Sequence, residues 1–299
     1  MDARTAFKTG IGQLRDAGVS SFTLAAELLL LHVAAKDRTW LYAHPEDELL
    51  PEQEQRFFAL VTRRIDGEPT QYLTGKQEFW SLEFEVTPAV LIPRPETEHV
   101  IEVALDRLAV REIRAGRKQT LSGEGLRIAD IGTGSGCIAV ALAKDLPGAQ
   151  LVATDISPAA LEVAKRNAQR HGFADRTSFI ESNLLDKIPS LPRFHLIVSN
   201  PPYIGRNEAP TLAREVRDHE PATALFGGEE GYELYADLIT KSAEHLEPGG
   251  ILVLELGHNS LPAVQPLFDT PQWTDVGVTN DLAGIPRVIA AEKFVSEPG

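Results

Sequence analysis

The chain has 299 residues, with 29 lysines and arginines against 43 aspartates and glutamates, a formal charge of −14 and one cysteine. At about 100–200 residues per domain, this length predicts two domains or one with a sizeable appendage. A lone Cys137 excludes an intramolecular disulfide and a cysteine-based zinc cluster. The acidic surplus, −3 over residues 1–78 and −11 over the remainder, argues against a protein that wraps duplex nucleic acid, which needs a basic face. The opening Met1-Asp2-Ala3-Arg4 lacks the basic-then-apolar build of a signal peptide, and the apolar run Leu28–Leu31 is far too short to span a bilayer. A soluble cytoplasmic protein is expected.

The first 78 residues read as helices. Ser20 or Ser21 is placed to cap a helix over Phe22–Ala35, with Leu24, Leu28 and Leu31 at helical spacing. Pro51 suits the first position of a second helix, with Glu52 and Glu54 in its favourable N-terminal turn, ending near Asp66-Gly67-Glu68-Pro69. Phe79–Val86 alternates and predicts a hairpin-like connector over residues 79–95. A helix follows from Glu96 to about Arg114. Arg111, Arg114, Arg117 and Lys118 cluster beside a polar stretch ending Ser122-Gly123-Glu124-Gly125 and read as a solvated loop. From Leu126 onward, strands at Leu126–Ile131, Leu151–Asp155, Thr177–Glu181, Phe194–Ser199 and Ile251–Leu256 alternate with helices at Ser135–Leu146, Pro158–Arg170 and Tyr232–Leu246. This order predicts an α/β domain over 96–299, with a parallel sheet covered on both sides. Thr274–Thr279 and Arg287–Phe294 have no helix between them, so a terminal hairpin makes the last strand antiparallel.

Two motifs carry chemistry. Asp130-Ile-Gly132-Thr133-Gly134-Ser135-Gly136 sits where the first strand turns into a helix, where glycines let the backbone approach a ligand without a Cβ in the way. Asp155 ends the next strand, placed to accept hydrogen bonds from both hydroxyls of a ribose. The Gly-x-Gly-x-Gly spacing departs from the dinucleotide pattern and favours a single nucleoside over NAD. Asn200-Pro201-Pro202-Tyr203 follows the strand Phe194–Ser199 at the carboxyl edge, where such sheets bind ligands. Its plain alternative is a strand-ending turn. As a site, it offers carbonyls free to accept, the Asn200 side-chain oxygen as a second acceptor and the Tyr203 ring as a flat wall. That set grips a planar NH₂ group.

Together these motifs resemble S-adenosylmethionine-dependent methyltransferases acting on planar nitrogen. Further segments narrow the resemblance: Gly67–Tyr72, Leu91–Glu98, Val198–Ile204, Glu220–Gly228 and Pro248–Gly250 are similar to the peptide chain release factor glutamine methyltransferases, over nearly the whole chain. Asn-Pro-Pro-Tyr alone is shared with DNA adenine and ribosomal RNA guanine methyltransferases, which remain the enzyme alternative. A non-catalytic binding protein is a third, disfavoured by the intact motif. The resemblance implies a Rossmann-like methyltransferase fold, a mostly parallel seven-stranded sheet with its last strand antiparallel, behind a small all-α domain over 1–78. That domain is read as substrate-docking rather than mere packing, because a protein substrate needs a surface beyond one glutamine. It implies transfer from S-adenosylmethionine, giving S-adenosylhomocysteine, to the side-chain nitrogen of the glutamine in the Gly-Gly-Gln motif of class I release factors. The expected partners are those factors, with no stable nucleic acid and no membrane, and the chain a monomer.

Carried over residue by residue, the resemblance implies cofactor binding by Gly132, Thr133, Gly134, Ser135, Gly136, Asp155, Asn183, Leu184 and Asn200. Asn183 stands where relatives usually carry an acid, which leaves it a backbone contact, and Leu184 packs the adenine. Asn200, Pro201 and Tyr203 are the catalytic candidates, and Pro202, Arg94 and Glu96 join them in binding substrate. The plain alternative for Arg94 and Glu96 is an ion pair bracing the connector. His219 beside Glu220 reads as loop-stabilising. Cys137, near a helix start, reads as a small buried residue. The eight histidines show no paired spacing, and no metal is expected.

Overall fold

The structure, a computed structural model, describes residues 1–114, 116 and 122–295. The chain divides into two compact units, Met1–Lys76 with Leu212–His219, and Gln77–Thr211 with Glu220–Gly299.

The first unit is helical: α1 (Ala3–Asp16), α2 (Phe22–Ala34), α3 (Arg38–Ala43), α4 (Pro51–Ile65) and α5 (Thr70–Thr74). Asp2 caps α1 by accepting from the Thr5 amide, and Asp37 caps α3 through the Trp40 amide. Pro51 opens α4, and the Gln53 side chain takes the Leu50 amide. The Ser21 cap fails: Ser21 takes a left-handed conformation and its side chain makes no capping bond. The helical spacing of Leu24, Leu28 and Leu31 does not mark the buried face either. Leu24 is 51% exposed and Leu28 37%, whereas Ala26, Leu29, Leu30 and Val33 pack on Leu14, Phe57 and Val61. This helix is apolar nearly all round, so periodicity does not select a side. Arg64, buried, pairs with Glu215.

The second unit begins with the hairpin β1 (Lys76–Phe79) and β2 (Leu82–Glu85), turned at Trp80-Ser81 within the run read as alternating. The Trp80 amide donates to Glu98 and its indole to Asp145. A 3₁₀ turn over Pro95–Thr97 leads into α6 (Glu98–Arg114). Then come β3 (Arg127–Ile131), α7 (Cys137–Asp145), β4 (Gln150–Asp155), α8 (Pro158–Arg170), β5 (Thr177–Glu181), β6 (Phe194–Ser199) and the short β7 (Ile204–Gly205). After α9 (Arg214–His219), which belongs to the first unit, come α10 (Ala222–Leu225), β8 (Phe226–Gly228), α11 (Glu233–His245), β9 (Leu246–Glu255), α12 (Leu261–Val264), β10 (Trp273–Asn280) and β11 (Pro286–Lys293). Arg111 and Arg114 are not loop residues. They sit in the last turn of α6 and pair with Glu247 and with Glu292 and Asp275, while Arg117 and Lys118 lie outside the described residues.

Seven strands form one sheet in the order β10-β11-β9-β6-β3-β4-β5. β9 through β5 are parallel, and β11 is inserted antiparallel between β9 and β10. The terminal hairpin thus makes the last strand antiparallel, as read, and places β10 at the edge. Side chains alternate between two cores. Ile128, Leu196, Val198, Ile251 and Val253 face α6 and α7, and Ala129, Ile197, Leu252 and Leu254 face α11. A sheet buried on both faces explains why these strands read as continuous apolar runs. β3 has β4 on one side and β6 on the other, so the winding reverses there. The carboxyl ends of these strands open a crevice for a ligand.

Candidate active site

A cavity of about 350 Å³ occupies that crevice. Gly132, Gly134 and Gly136 all take positive φ, which glycine adopts without steric cost. Their roles differ. A Cβ on Gly132 or Gly134 would meet nothing within 4 Å, so both leave open space at the cavity wall. A Cβ on Gly136 would come 3.1 Å from the Ala164 Cβ, so this glycine serves the packing of α7 on α8 and does not line the cavity. Helix α7 opens at Cys137 rather than Ser135, because left-handed Gly136 caps it.

Asp130 holds the loop from beneath. Its Oδ2 accepts from the Thr133 hydroxyl at 2.6 Å and the Ala139 amide at 3.1 Å, while its buried Oδ1 has no partner. Burial pushes this carboxyl up to about 7. At the end of β4, Asp155 accepts from the Gly134 amide and the Ser157 amide, each at 2.9 Å. Burial raises its pKa, against the opposing pull of these amides. Both Asp155 oxygens keep lone pairs for further donors, and Asp155 lines the cavity with Ile156, Asn183 and Leu184. Asn183 turns its side-chain amide to Asp186 at 3.1 Å, and the Leu184 carbonyl is held by the Thr154 hydroxyl at 3.2 Å. Cys137 is buried at the cavity, and its thiol is pushed up to about 12, first by burial and then by Asp130, so it is no nucleophile.

The opposite end of the cavity is built from distant segments. Asn200 follows β6 and lines the cavity with Pro202 and Arg94. Its Nδ2 donates to the Thr97 hydroxyl at 3.0 Å, which leaves Oδ1 as the side chain's remaining acceptor. Pro201, the next residue, is buried and does not line the cavity. Tyr203 does not line the cavity. A Cβ on Gly257 would lie 2.9 Å from its ring, and its hydroxyl donates to Glu255 Oε1 at 3.3 Å, so the ring faces the end of β9, while Pro202 and Phe226 form the nearby wall. The Tyr203 hydroxyl is held protonated, chiefly by burial and then by the Glu255 charge. Arg94 pairs with buried Glu220 rather than Glu96, and the Ile92 amide donates to the second Glu220 oxygen at 3.2 Å. Glu96 is exposed and lies off the cavity. His219 belongs to the helical unit.

Sequence reasoning missed Thr97, Glu255 and the role of Glu220. Glu255 had a readable signal, a lone acid ending the apolar run Ile251–Leu254. It is 1% exposed, and burial pushes its carboxyl up to about 7, against the Thr97 and Tyr203 hydroxyls and Arg287, with Glu96 adding to the rise.

The cradle fits S-adenosylmethionine: two glycines that leave room at the strand–helix turn, an acid at the end of the next strand, and an apolar wall of Ile156 and Leu184 beside them. Fold and site define a Rossmann-like S-adenosylmethionine-dependent methyltransferase. Comparison with known proteins narrows the class. Residues 5–75 match the PrmC N-terminal domain and residues 118–218 the methyltransferase small domain. The chain is 43% identical to the release factor glutamine methyltransferase of Koribacter versatilis, over 99% of this chain and 100% of that protein. It is 41% identical to that of Geobacter sulfurreducens, over 93% and 92%. Among solved structures, a methyltransferase from Pyrococcus furiosus shares the fold at TM-score 0.51 and 19% identity, covering 72% of this chain and 90% of that one. The hMettl16 catalytic domain does so at 0.56 and 17%, covering 83% and 84%. The chain belongs to the release factor glutamine methyltransferase family. Among the described residues no helix is long and apolar enough to cross a membrane, and no three His, Cys, Asp or Glu side chains gather as a metal set.

Proposed function

We propose that this enzyme methylates the side-chain amide nitrogen of the glutamine in the Gly-Gly-Gln motif of class I peptide chain release factors. The carrying observation is Asn200, whose amide nitrogen is tied to Thr97 so that its oxygen remains to accept from a substrate NH₂ in the cavity. S-adenosylmethionine supplies an activated methyl group on a sulfonium. An amide nitrogen is a poor nucleophile because its lone pair is delocalised into the carbonyl, so the protein's work is alignment. Asn200 Oδ1 takes one N–H, which orients the amide and aims its nitrogen along the cavity; the Pro201 carbonyl, expected to take the other, belongs to a buried residue that does not line the cavity. Positioning of this kind supplies a large share of a bimolecular barrier. No general base is assigned, because the nitrogen becomes acidic once it carries the methyl group and releases its proton after transfer.

On this reading Gly132, Thr133, Gly134, Ser135, Asp155, Asn183 and Leu184 hold the cofactor, and Pro202 and Arg94 border the substrate. The helical unit docks the body of the release factor, since one glutamine offers little surface for recognition, and the reaction belongs in the cytoplasm, where translation ends. The test is to incubate the enzyme and labelled S-adenosylmethionine with purified release factor, DNA and ribosomal RNA separately. Label in the release factor alone supports the reading. Label in either nucleic acid, with none in the factor, replaces it by the exocyclic-amine alternative.

A further inference from the structure

Asn167 is fully buried on α8, whose other buried residues are Ala160, Leu161, Val163, Ala164 and Ala168. Asparagine is a poor helix former, and a buried amide costs free energy unless its polar atoms are bonded. Here both hydrogens and the oxygen are used. Nδ2 donates to the Ser135 carbonyl at 2.9 Å and to the Glu85 carbonyl at 3.0 Å, while Oδ1 accepts from the Glu85 amide at 2.8 Å. Two carbonyls and one N–H admit only this orientation of the side chain.

The Ser135 carbonyl needs such a partner. In a continuous helix it would accept from the Ala139 amide, four residues on. Left-handed Gly136 instead starts α7 at Cys137, and the Ala139 amide goes to Asp130. Asn167 stands in for that missing helical donor. The same helix meets the loop one turn earlier, where a Cβ on Gly136 would come 3.1 Å from the Ala164 Cβ. Ala164 and Asn167 are three residues apart and share a face. The loop is thus held at three successive residues: Thr133 by Asp130, Gly134 by Asp155 and Ser135 by Asn167. The other two bonds of Asn167 fasten Glu85, which ends β2 shortly before Ala89, Val90 and Leu91 of the cavity wall. Asn167 itself does not line the cavity.

We propose that Asn167 is a positioning residue for cofactor binding: from outside the cavity it ties the Ser135 carbonyl to the Glu85 backbone and keeps the glycine loop in the arrangement that S-adenosylmethionine needs. Without it the Ser135 carbonyl loses its donor, and the peptide turns to find another. A loop that keeps the receptive arrangement about a tenth of the time binds about tenfold more weakly. Turnover of bound cofactor is spared, because binding restores the arrangement. The inference rests on the proposed function only in placing the cofactor against the glycine loop.

The test uses the full-length enzyme and its Asn167→Leu, Asn167→Asp, Asn167→Ser, Arg166→Ala and Asp155→Ala variants. Leucine is close to asparagine in shape but cannot hydrogen-bond, and aspartate replaces both donors by an acceptor. Serine is the milder change should the first two fail to fold. Arg166 also holds Glu85, but its bonds go to the carboxylate, at 2.7 Å for the shortest, and not to the backbone. Asn167→Leu and Asn167→Asp should raise the calorimetric Kd for S-adenosylmethionine about tenfold or more, and Asn167→Ser about threefold or more. With release factor as substrate and cofactor saturating, kcat should stay within about threefold of wild type. Arg166→Ala should leave the Kd within about twofold, although it removes a tether on the same residue. The proposal is overturned if every folded Asn167 variant binds cofactor within about twofold of wild type, if Arg166→Ala weakens binding as much as they do, or if kcat at saturation falls in step with affinity. Unchanged affinity in Asp155→Ala would place the cofactor elsewhere and remove both the functional reading of the loop and this inference. Unchanged affinity in the Asn167 variants alone removes only the role of Asn167. If wild-type enzyme does not methylate release factor, the functional reading fails, and the binding ratios alone decide the role of Asn167.

Discussion

The two ends of the cavity are made of different material. The end proposed for the cofactor is mostly backbone: one continuous loop after β3, with Asp155 fixed by the amides of Gly134 and Ser157. The end proposed for the methyl acceptor is mostly side chain, and Thr97, Asn200 and Arg94, the last held by buried Glu220, come from separate stretches of chain. A backbone cradle tolerates many neighbours as long as its glycines and their anchors remain. A side-chain clamp depends on each partner holding the next in one orientation. Cofactor affinity and turnover should therefore separate cleanly under mutation.

The largest expected effect lies at the clamp. Asn200→Ala should cut turnover about a hundredfold or more while leaving S-adenosylmethionine affinity within a few fold, since misplacing a reacting atom is that costly. Single-turnover rates alongside calorimetry would show the split. Next comes the cradle. Asp155→Ala removes a charged acceptor that also braces the glycine loop, and should weaken cofactor binding by about 1.5–3 kcal/mol. Turnover should recover as cofactor is raised to saturation. If it does not, the two ends are coupled and the contrast between them is wrong.

The smallest effect concerns the two buried acids beneath the site. Asp130 and Glu255 each titrate at about 7 when folded, against ordinary values of 3.8 and 4.5. Between those limits the folded protein keeps protons that the unfolded chain has released. Raising the pH through about 4.5 to 7 therefore favours unfolding, and stability falls across that window. Denaturant titrations at intervals across this range should show the decline, and Glu255→Gln should flatten it. A stability that instead rises with pH between those values would mean neither acid holds its proton in the fold.

The same contrast explains what could be read from the sequence. The glycine loop and Asp155 were legible because a strand, a turn and the next strand's end lie within 26 residues, from Asp130 to Asp155. Asn200-Pro201-Pro202-Tyr203 was legible as a motif, but the place of its tyrosine ring was not. Tyr203 turns away from the cavity because Gly257 leaves room for the ring and Glu255 takes its hydroxyl. Glu255 comes beside the motif only when β9 is laid beside β6, a pairing that no local pattern announces. Arg94 illustrates the same limit: its neighbour Glu96 was the obvious partner, yet the fold brings Glu220 from 126 residues away. In the helical unit α2 and α4 were legible while α1, α3 and α5 were not placed, and the buried face of α2 was not legible, because leucines occupy both of its sides.

The most direct test of the account asks whether the clamp reads an NH₂ group. Release factor and a variant with glutamate in place of the Gly-Gly-Gln glutamine, which has the same shape but no N–H, would be incubated with enzyme and S-adenosylmethionine, and their peptides examined by mass spectrometry. The account predicts one methyl group on the glutamine side-chain nitrogen and none on the glutamate variant. Comparable methylation of both proteins, or a methyl group placed elsewhere in the factor, would contradict it.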